Sequence, residues 1–258
     1  MSEEEAIDDK TVATVLTRVV WIVNPVLDVL SETDVFDLKE RTKHADDANK
    51  SLLNRGLGAV AWALNTADLP GTKSWESMSL DARSKWWVRR VGAVNTLIVA
   101  YPGVLGAIAN RLPLQDALGF GNQAILLCAV AREHGLDEYQ QVRLLASVLC
   151  DRTIPEQAPA GVAEAAAKEG AEDEPIKKEG KSRTPFALAK TLWRIGQMVR
   201  GITGELRKRP RPGKFFHYLG MIPVVGAVGD YFGEYSALGR AAKEAQDWIA
   251  TSSTSAVG

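Results

Sequence analysis

Histidine, cysteine and grouped acidic residues are the usual carriers of catalytic and metal chemistry, and this chain places them far apart. Its histidines are His44, His134 and His217, and its cysteines are Cys128 and Cys150. They do not share the short spacing of a zinc site, and the chain contains neither H-E-x-x-H nor C-x-x-C. We therefore predict no metal site and no catalytic residue. Both cysteines lie in apolar helical patterns and are interpreted as buried thiols.

Two glycine patterns match the dinucleotide-binding fingerprint G-x-G-x-x-A, at residues 56–61 and 119–124. The fingerprint binds a pyrophosphate only where a strand precedes it, so that the phosphate meets the start of a helix. Residues 51–55 do not form such a strand. A phosphate loop ending at Gly180-Lys181-Ser182 lacks its earlier glycine, because that position is Pro175. We predict no cofactor and interpret these glycines as packing residues.

Two carboxylates interrupt apolar stretches and are predicted to be buried polar groups, Asp116 and Asp230. An acid in such a place is costly unless it is paired or hydrogen-bonded. One interpretation is a polar spot that lines a cavity or a proton path. The other is a helix cap, or an ion pair with Arg111 or Arg240.

A basic and aromatic step lies at Lys85-Trp86-Trp87-Val88-Arg89-Arg90. Indole rings beside basic residues suit the interface of a bilayer, where the apolar ring and its polar edge are both accommodated. The two tryptophans could equally be core residues of a helical bundle, and stacking on nucleic acid is a weaker third reading. The predicted lipid contacts in this step are Lys85, Trp86, Trp87, Arg89 and Arg90.

The charges of the chain are distributed unevenly. The first fifty residues contain twelve acids and six bases, whereas residues 181–214 contain ten bases and the single acid Glu205. A basic amphipathic helix with Trp193, followed by a basic stretch, is typical of a surface that lies on anionic lipid. The alternative is a core-facing helix with a solvated charged side and a flexible basic loop. The predicted lipid contacts here are Trp193, Arg207, Lys208, Arg209 and Arg211.

The elements that position these residues are predicted to be helices. Residues 11–30 place valines and leucines at helical spacing, with a kink or a new helix at Pro25. The uncharged run 91–109 approaches the length of a bilayer span, but Pro102-Gly103 interrupts it. No convincing strand pattern occurs. The predicted fold class is all-α, a helical bundle of short Gly/Ala-rich and Pro-interrupted helices.

Small residues recur at every fourth position near the end of the chain, which predicts a helix-packing seam. The seam comprises Gly229, Gly233, Ala237, Ala241 and Ala245.

Composition divides the chain into five predicted parts. Residues 1–10 are an acidic disordered tail, 11–151 an N-terminal helical half, and 152–184 a charged flexible linker. Residues 185–250 form a C-terminal helical half that packs on the first, and 251–258 a disordered tail. The acidic N-terminus does not resemble a secretory signal, so we expect a cytoplasmic protein.

Four segments of the chain together carry a family resemblance. They are the Gly/Ala-rich helix 56–69, the turn Leu112-Pro113-Leu114, the helix ending Ala131-Arg132-Glu133-His134-Gly135-Leu136-Asp137, and the run Ile222-Pro223-Val224-Val225-Gly226-Ala227-Val228-Gly229. They resemble the EcsC family of hydrophobic helical bacterial proteins, often encoded near ABC-type exporters. The resemblance covers about residues 50–150 and 186–245. It implies membrane association and no established catalytic residues.

These observations predict a non-enzymatic membrane-associated or lipid-binding helical protein, peripheral on the inner face of the cell membrane. Its expected partner is membrane lipid or an inner-membrane protein, with no nucleic acid, and it could form oligomers. A helical scaffold or accessory subunit that binds a protein partner is the alternative. An enzyme acting on an apolar substrate in a helical cavity is the third hypothesis.

Overall fold

The computed structural model describes residues 8–31, 68–100, 114–157, 161–162, 185–198, 202 and 225–255. Within its helices, the side chains of 95–100, 114–118, 185–187, 189, 196–197, 225–235 and 253–255 are not described. All structural statements below concern the described part of the chain.

This part of the chain forms seven helices and contains no strand, which confirms the predicted all-α fold class. The helices are α1 (Asp9–Leu30), α2 (Lys73–Ser77), α3 (Leu80–Ala100), α4 (Leu114–Glu133), α5 (Glu138–Cys150), α6 (Pro185–Met198) and α7 (Val225–Ser255).

Local signals in the sequence set several helix ends. Asp8 caps α1 by accepting a hydrogen bond of 2.6 Å from the backbone N–H of Thr11. Pro25 lies inside α1, which continues through it to Leu30. Asp137 and Gln140 form a reciprocal capping box at the start of α5.

Helix α4 lies at the centre of the bundle and packs against α1, α3, α5, α6 and α7. Every residue from 119 to 131 is buried, so this helix is covered on all sides. A surface helix would leave one face in water, whereas a helix that is apolar all round belongs in a core. The apolar stretch 119–131 of α4 is therefore the core of the bundle.

Helices α1 and α5 run antiparallel along one side of α4. Arg152, just beyond the end of α5, forms an ion pair of 2.6 Å with Asp9 at the start of α1. Arg132, shortly before α5 begins, forms an ion pair of 2.9 Å with Asp28 near the end of α1. Polar contacts therefore fix both ends of α1, while its apolar face supplies the packing between them.

The predicted small-residue seam lies on α7, which packs against α3, α4 and α5. Ala237, Ala241 and Ala245 are each 0 % exposed, as a close helix contact requires. Gly229 and Gly233 lie on the same helix, but their surroundings are outside the described residues.

Three predicted boundaries differ from the structure. The helix α1 begins at Asp9, inside the predicted tail 1–10, and α7 continues to Ser255, inside the predicted tail 251–258. The predicted linker is packed where it begins, because Ile154 and Val162 are buried. Two isolated apolar side chains were too weak a signal to mark this packing in sequence. Residues 163–184 lie outside the described residues.

Candidate functional site at the end of the central helix

The central helix ends in a tight turn that fixes three polar residues in space. Gly135 has a φ of +75°, the left-handed conformation that glycine adopts most readily. The N–H of Leu136 donates to the carbonyl of Ala131 at 3.0 Å, which closes the end of the helix. Arg132, Glu133 and His134 are consequently held where α4 meets its neighbours. We call these three residues and their contacts the α4 junction.

Glu133 is the centre of the α4 junction. Its Oε2 accepts hydrogen bonds from Trp75 Nε1 and Arg83 Nη1, both at 3.2 Å, and its Oε1 accepts one from Trp87 Nε1 at 3.1 Å. The side chain is only 12 % exposed. A carboxylate taken out of water is stable only when such donors satisfy it. Glu133 therefore joins α2, α3 and α4 through one group.

Arg83 completes the contact with the short helix α2. Its Nε donates to the carbonyl of Trp75 at 3.1 Å and its Nη2 to the carbonyl of Glu76 at 3.2 Å. These carbonyls lie at the end of α2, where intrahelical partners are missing. The guanidinium also lies 5.6 Å from the Trp75 ring centroid, a cation–π distance. Arg83 therefore caps α2 and also compensates the negative charge of Glu133.

Three tryptophans pack edge to face beside this carboxylate. The ring centroids of Trp75 and Trp86 lie 5.0 Å apart at 78°, and those of Trp86 and Trp87 lie 5.0 Å apart at 87°. This edge-to-face arrangement is the one that the charge distribution of aromatic rings favours. All three side chains are buried. The cluster is thus part of the core rather than an exposed aromatic platform.

Arg90 extends the cluster towards α1. Its guanidinium lies 5.1 Å from the Trp86 ring centroid, and its Nε donates to the carbonyl of Leu30 at 2.9 Å. Leu30 is the last residue of α1, where helix carbonyls carry partial negative charge. Burial lowers the pKa of Arg90 from its ordinary value to about 10, because the charged form loses its hydration. The group still remains a cation at neutral pH.

These positions correct the predicted lipid contact at the Trp86-Trp87 step. Trp86, Trp87 and Arg90 are buried, so lipid does not reach them in this structure. The helical period explains why some residues of the step are buried and others exposed. Trp86, Trp87 and Arg90 face the core, while Lys85 and Arg89 are exposed on the outer side of α3. Lys85 there forms an ion pair of 2.7 Å with Asp81, one turn earlier. The step therefore has one buried side and one exposed side, and only the exposed side could contact a lipid surface.

Arg132 connects the α4 junction to α1. Its Nη1 donates to the carbonyl of Asn24 at 3.3 Å, in addition to the ion pair of Nη2 with Asp28. His134, the next residue but one, has a buried Nε2 without a hydrogen-bond partner. Burial lowers the pKa of His134 below its ordinary value, with the nearby Glu133 acting in the opposite direction. The neutral imidazole is therefore favoured.

The remaining predicted residues are spread over the molecule. Trp193 is partly exposed on α6. Asp116 lies on α4 and Asp230 on α7, but the surroundings of both side chains are outside the described residues. Arg207, Lys208, Arg209 and Arg211 also lie outside them. The structure does not join these residues to the α4 junction.

Sequence reasoning missed the polar groups of the bundle interior. Glu133 was not singled out, although its position before His134-Gly135 predicts a helix end near other elements. Asn122 and Gln123, two adjacent amides on the apolar α4, are buried. Polar residues inside an otherwise apolar stretch could have indicated them, and the same pattern is the basis of the prediction for Asp116.

The chemistry that this arrangement supports is structural. Three donors on α2 and α3 bind the Glu133 carboxylate, so this group connects helices. Burial raises the pKa of the Cys128 thiol far above its ordinary value, so no thiolate forms there at neutral pH. Among the described residues, no group of histidine, cysteine and acidic side chains has the arrangement of a metal site.

Comparison with protein-family models, with curated proteins and with solved structures finds no match. The resemblance to the EcsC family accordingly stays a prediction from the sequence. Among the described helices, α1 is the one whose length and composition would suffice to cross a membrane, and half of that stretch is buried within the bundle.

Proposed function

We propose that this protein is a non-enzymatic, membrane-associated helical protein of EcsC type, peripheral on the inner face of the cell membrane. It would bind anionic lipid through residues 207–214, which we call the basic segment. This segment holds five basic residues and no acid among its eight positions. That charge density is the observation that carries the proposal, since basic clusters are attracted to anionic headgroups.

We propose that the protein attaches to the membrane surface and does not span the bilayer. The most apolar helix, α1, contributes eleven buried side chains to the core. Withdrawing α1 into a bilayer would keep these side chains out of water but would expose the apolar faces of α4, α5 and α6 that α1 covers, at about 25 cal/mol per Å² of apolar area. It would also separate Arg90 from the carbonyl of Leu30. Because α1 stays in the core of the bundle, we expect lipid to be contacted through the basic segment and not through α1.

Helix α6 packs on the bundle and precedes the basic segment in the chain. Leu188, Leu192 and Ile195 are buried at helical spacing and fix one side of α6 to the core. On the other side, Lys190 is exposed and Trp193 is partly exposed. A helix with this division supports a membrane-facing surface on α6, which precedes the basic segment in the chain.

Vesicle flotation tests the proposal with the full-length chain. Phosphatidylcholine vesicles with and without phosphatidylserine are compared at low and at physiological salt. We expect flotation with the anionic vesicles that weakens as salt rises, because salt screens exposed charges. Replacing Arg207, Lys208, Arg209 and Arg211 by Gln should lower partitioning by a factor on the order of a hundred to a thousand, at about 1 kcal/mol per base.

A matched control removes the same charge from elsewhere on the surface. Lys10, Lys73, Arg240 and Lys243 are exposed on α1, α2 and α7. Their replacement by Gln lowers the net charge equally but leaves the basic segment intact. Equal losses of flotation in the two variants, or no flotation of the wild type at low salt, would refute a specific role of the segment.

A helical scaffold or accessory subunit that binds a protein partner is the second candidate. It is favoured by Trp21, which is 41 % exposed in the middle of the apolar helix α1. Exposed tryptophans are enriched at the centres of protein interfaces. Replacing Trp21 by Ala separates the two candidates, because it leaves the basic segment and therefore flotation unchanged. A concentration-dependent oligomer of the wild type that is lost in this variant would support the second candidate.

A further inference from the structure

Asn122 is a buried amide on the central helix α4, where it is 1 % exposed. Among the residues that the structure describes, neither its Nδ2 nor its Oδ1 has a hydrogen-bond partner. The side chain therefore offers two donor hydrogens and an acceptor to a group that reaches it inside the bundle.

Three other buried polar side chains, those of Ser84, Arg90 and Gln141, each have at least one hydrogen bond, although Gln141 Oε1 also lacks a partner among the described residues. Ser84 Oγ donates to the carbonyl of Leu80 at 2.9 Å, and Gln141 Nε2 donates to that of Leu136 at 3.3 Å. Arg90 binds the carbonyl of Leu30. An unbonded buried amide costs folding free energy, whereas a leucine of similar size at the same place would not. Asn122 thus has the character of a binding group rather than of a packing residue.

The neighbourhood of Asn122 determines the chemistry of a ligand. Ile125 and Leu126, one turn further along α4 on the same face, are buried and apolar. Next to Asn122, a Cβ on Gly121 would lie 2.5 Å from Leu192 Cδ2, so α6 lies directly against α4 here. Apolar surroundings suit a hydrocarbon chain and strongly disfavour a charged group. The matching ligand is mostly apolar and has one uncharged hydrogen-bonding end.

We propose that Asn122 anchors the polar end of a single-chain, uncharged amphiphile, such as a fatty amide or fatty alcohol, bound inside the bundle. Nδ2 donates to the oxygen of the ligand, and Oδ1 accepts from its N–H or O–H. The apolar side chains of α4 and of the helices that pack on it contact the tail. This internal site goes beyond surface attachment and does not depend on the basic segment.

Calorimetry and native mass spectrometry of the detergent-free, full-length protein test this proposal. The probes are decanamide and 1-decanol, with decane as a tail without a polar end and decyltrimethylammonium as a charged analogue. We expect saturable binding of one decanamide per chain and a raised Tm. Decane should bind on the order of tenfold more weakly, the difference that hydrogen bonds of ordinary strength supply. The charged analogue should bind more weakly still, because its buried charge would be unpaired.

Variants of Asn122 distinguish a ligand-binding amide from a structural one. Asn122→Leu should keep or raise the Tm without ligand and lose the preference for decanamide over decane. Asn122→Ala removes the amide without adding bulk and should lose the same preference, which keeps the test decisive if the leucine variant does not fold. The control Ile125→Val leaves the amide in place and should retain the preference.

Three results would overturn the proposal. One is the absence of saturable decanamide binding to the wild type. Another is equal binding of decanamide and decane. The third is a large fall in Tm for both Asn122 variants but not for Ile125→Val, which would mean that the amide has its partner within the protein. Because no vesicles are used, failure here leaves the flotation result unaffected.

Discussion

At the scale of single residues, the polar groups of the interior hold the helices in register. Glu133 receives two indole N–H groups and one guanidinium from two other helices. Arg90 and Arg132 each bind a backbone carbonyl of α1. Apolar packing is non-directional, whereas these hydrogen bonds require particular rotations of each helix. The polar contacts therefore select one arrangement among many that would bury the same apolar area.

Glu133→Gln tests the importance of the α4 junction. The amide keeps the shape of the side chain but removes the charge that compensates Arg83 and one of the acceptor oxygens. We expect the free energy of unfolding to fall by about 2–4 kcal/mol, measured by denaturant titration with tryptophan fluorescence. The control Glu156→Gln alters a side chain that is 82 % exposed and should change stability by less than about 0.5 kcal/mol. Equal effects of the two changes would contradict the structural role of Glu133.

His134 should make stability depend on pH. Its pKa is lowered in the folded state, so the unfolded chain binds the proton more readily as the pH falls. The stability that the neutral imidazole contributes is present above the ordinary histidine pKa of about 6.5 and is lost as the pH falls below it. Unfolding measured between neutral and mildly acidic pH should show a shallower pH dependence for His134→Gln than for the wild type. Parallel curves would contradict this assignment.

At the scale of elements, close approach between helices depends on the absence of side chains. Gly121 on α4 allows Leu192 of α6 to lie where a Cβ would otherwise be. On α7, the stripe of Ala237, Ala241 and Ala245 is fully buried in the same way. Small residues lower the distance between helix axes, which increases dispersion contacts along both backbones. Their spacing in the sequence thus marks where helices touch, but not which helix is the partner.

A pair of glycine substitutions separates packing from helix propensity. Gly121→Val places bulk against Leu192 and should destabilise the fold by about 1–3 kcal/mol, as overpacked cores do. Gly239→Ala adds a methyl group on an exposed position of α7 where nothing lies within 4 Å. It should stabilise the protein by about 0.5–1 kcal/mol through helix propensity alone. Thermal unfolding checks both signs, and stabilisation by Gly121→Val would exclude a close α4–α6 contact.

At the scale of the whole molecule, apolar helices that would suit a membrane are used to build a bundle. Helix α1 has the length and composition of a span, yet its inner face packs against α4, α5 and α6. Helix α4 is buried on all sides from 119 to 131. The same apolar surface is removed from water by either environment, so composition alone does not distinguish them. The polar contacts at both ends of α1 favour the bundle.

Truncations on the two faces of α1 measure its role in the core. Leu16 is 0 % exposed, and Leu16→Ala should lower the free energy of unfolding of detergent-free protein by about 2–5 kcal/mol. Trp21 is larger but points outwards, so Trp21→Ala should cost clearly less. Chemical unfolding of both variants checks the difference. A larger loss for Trp21→Ala would mean that the outer face of α1 is covered in solution.

The sequence by itself determined the helices, because their signals are local. Apolar spacing defined α1, and the alanine stripe of α7 predicted a buried face. Helical period and small-residue spacing act within a few positions of one another. For this reason the all-α class and the end of α1 at Leu30 followed without a structure.

Only the tertiary structure decided which faces are inside. Trp86 and Trp87 suit a bilayer interface and a bundle core equally well, since both environments offer an apolar space with a polar partner for the indole N–H. Glu133, forty-six residues after Trp87, supplies that partner for Trp87 in the core. The role of Asn122 likewise depends on the burial of the helix around it, which the sequence alone does not show. Contacts between distant residues depend on how the helices pack, and this information is not local to any stretch of the chain.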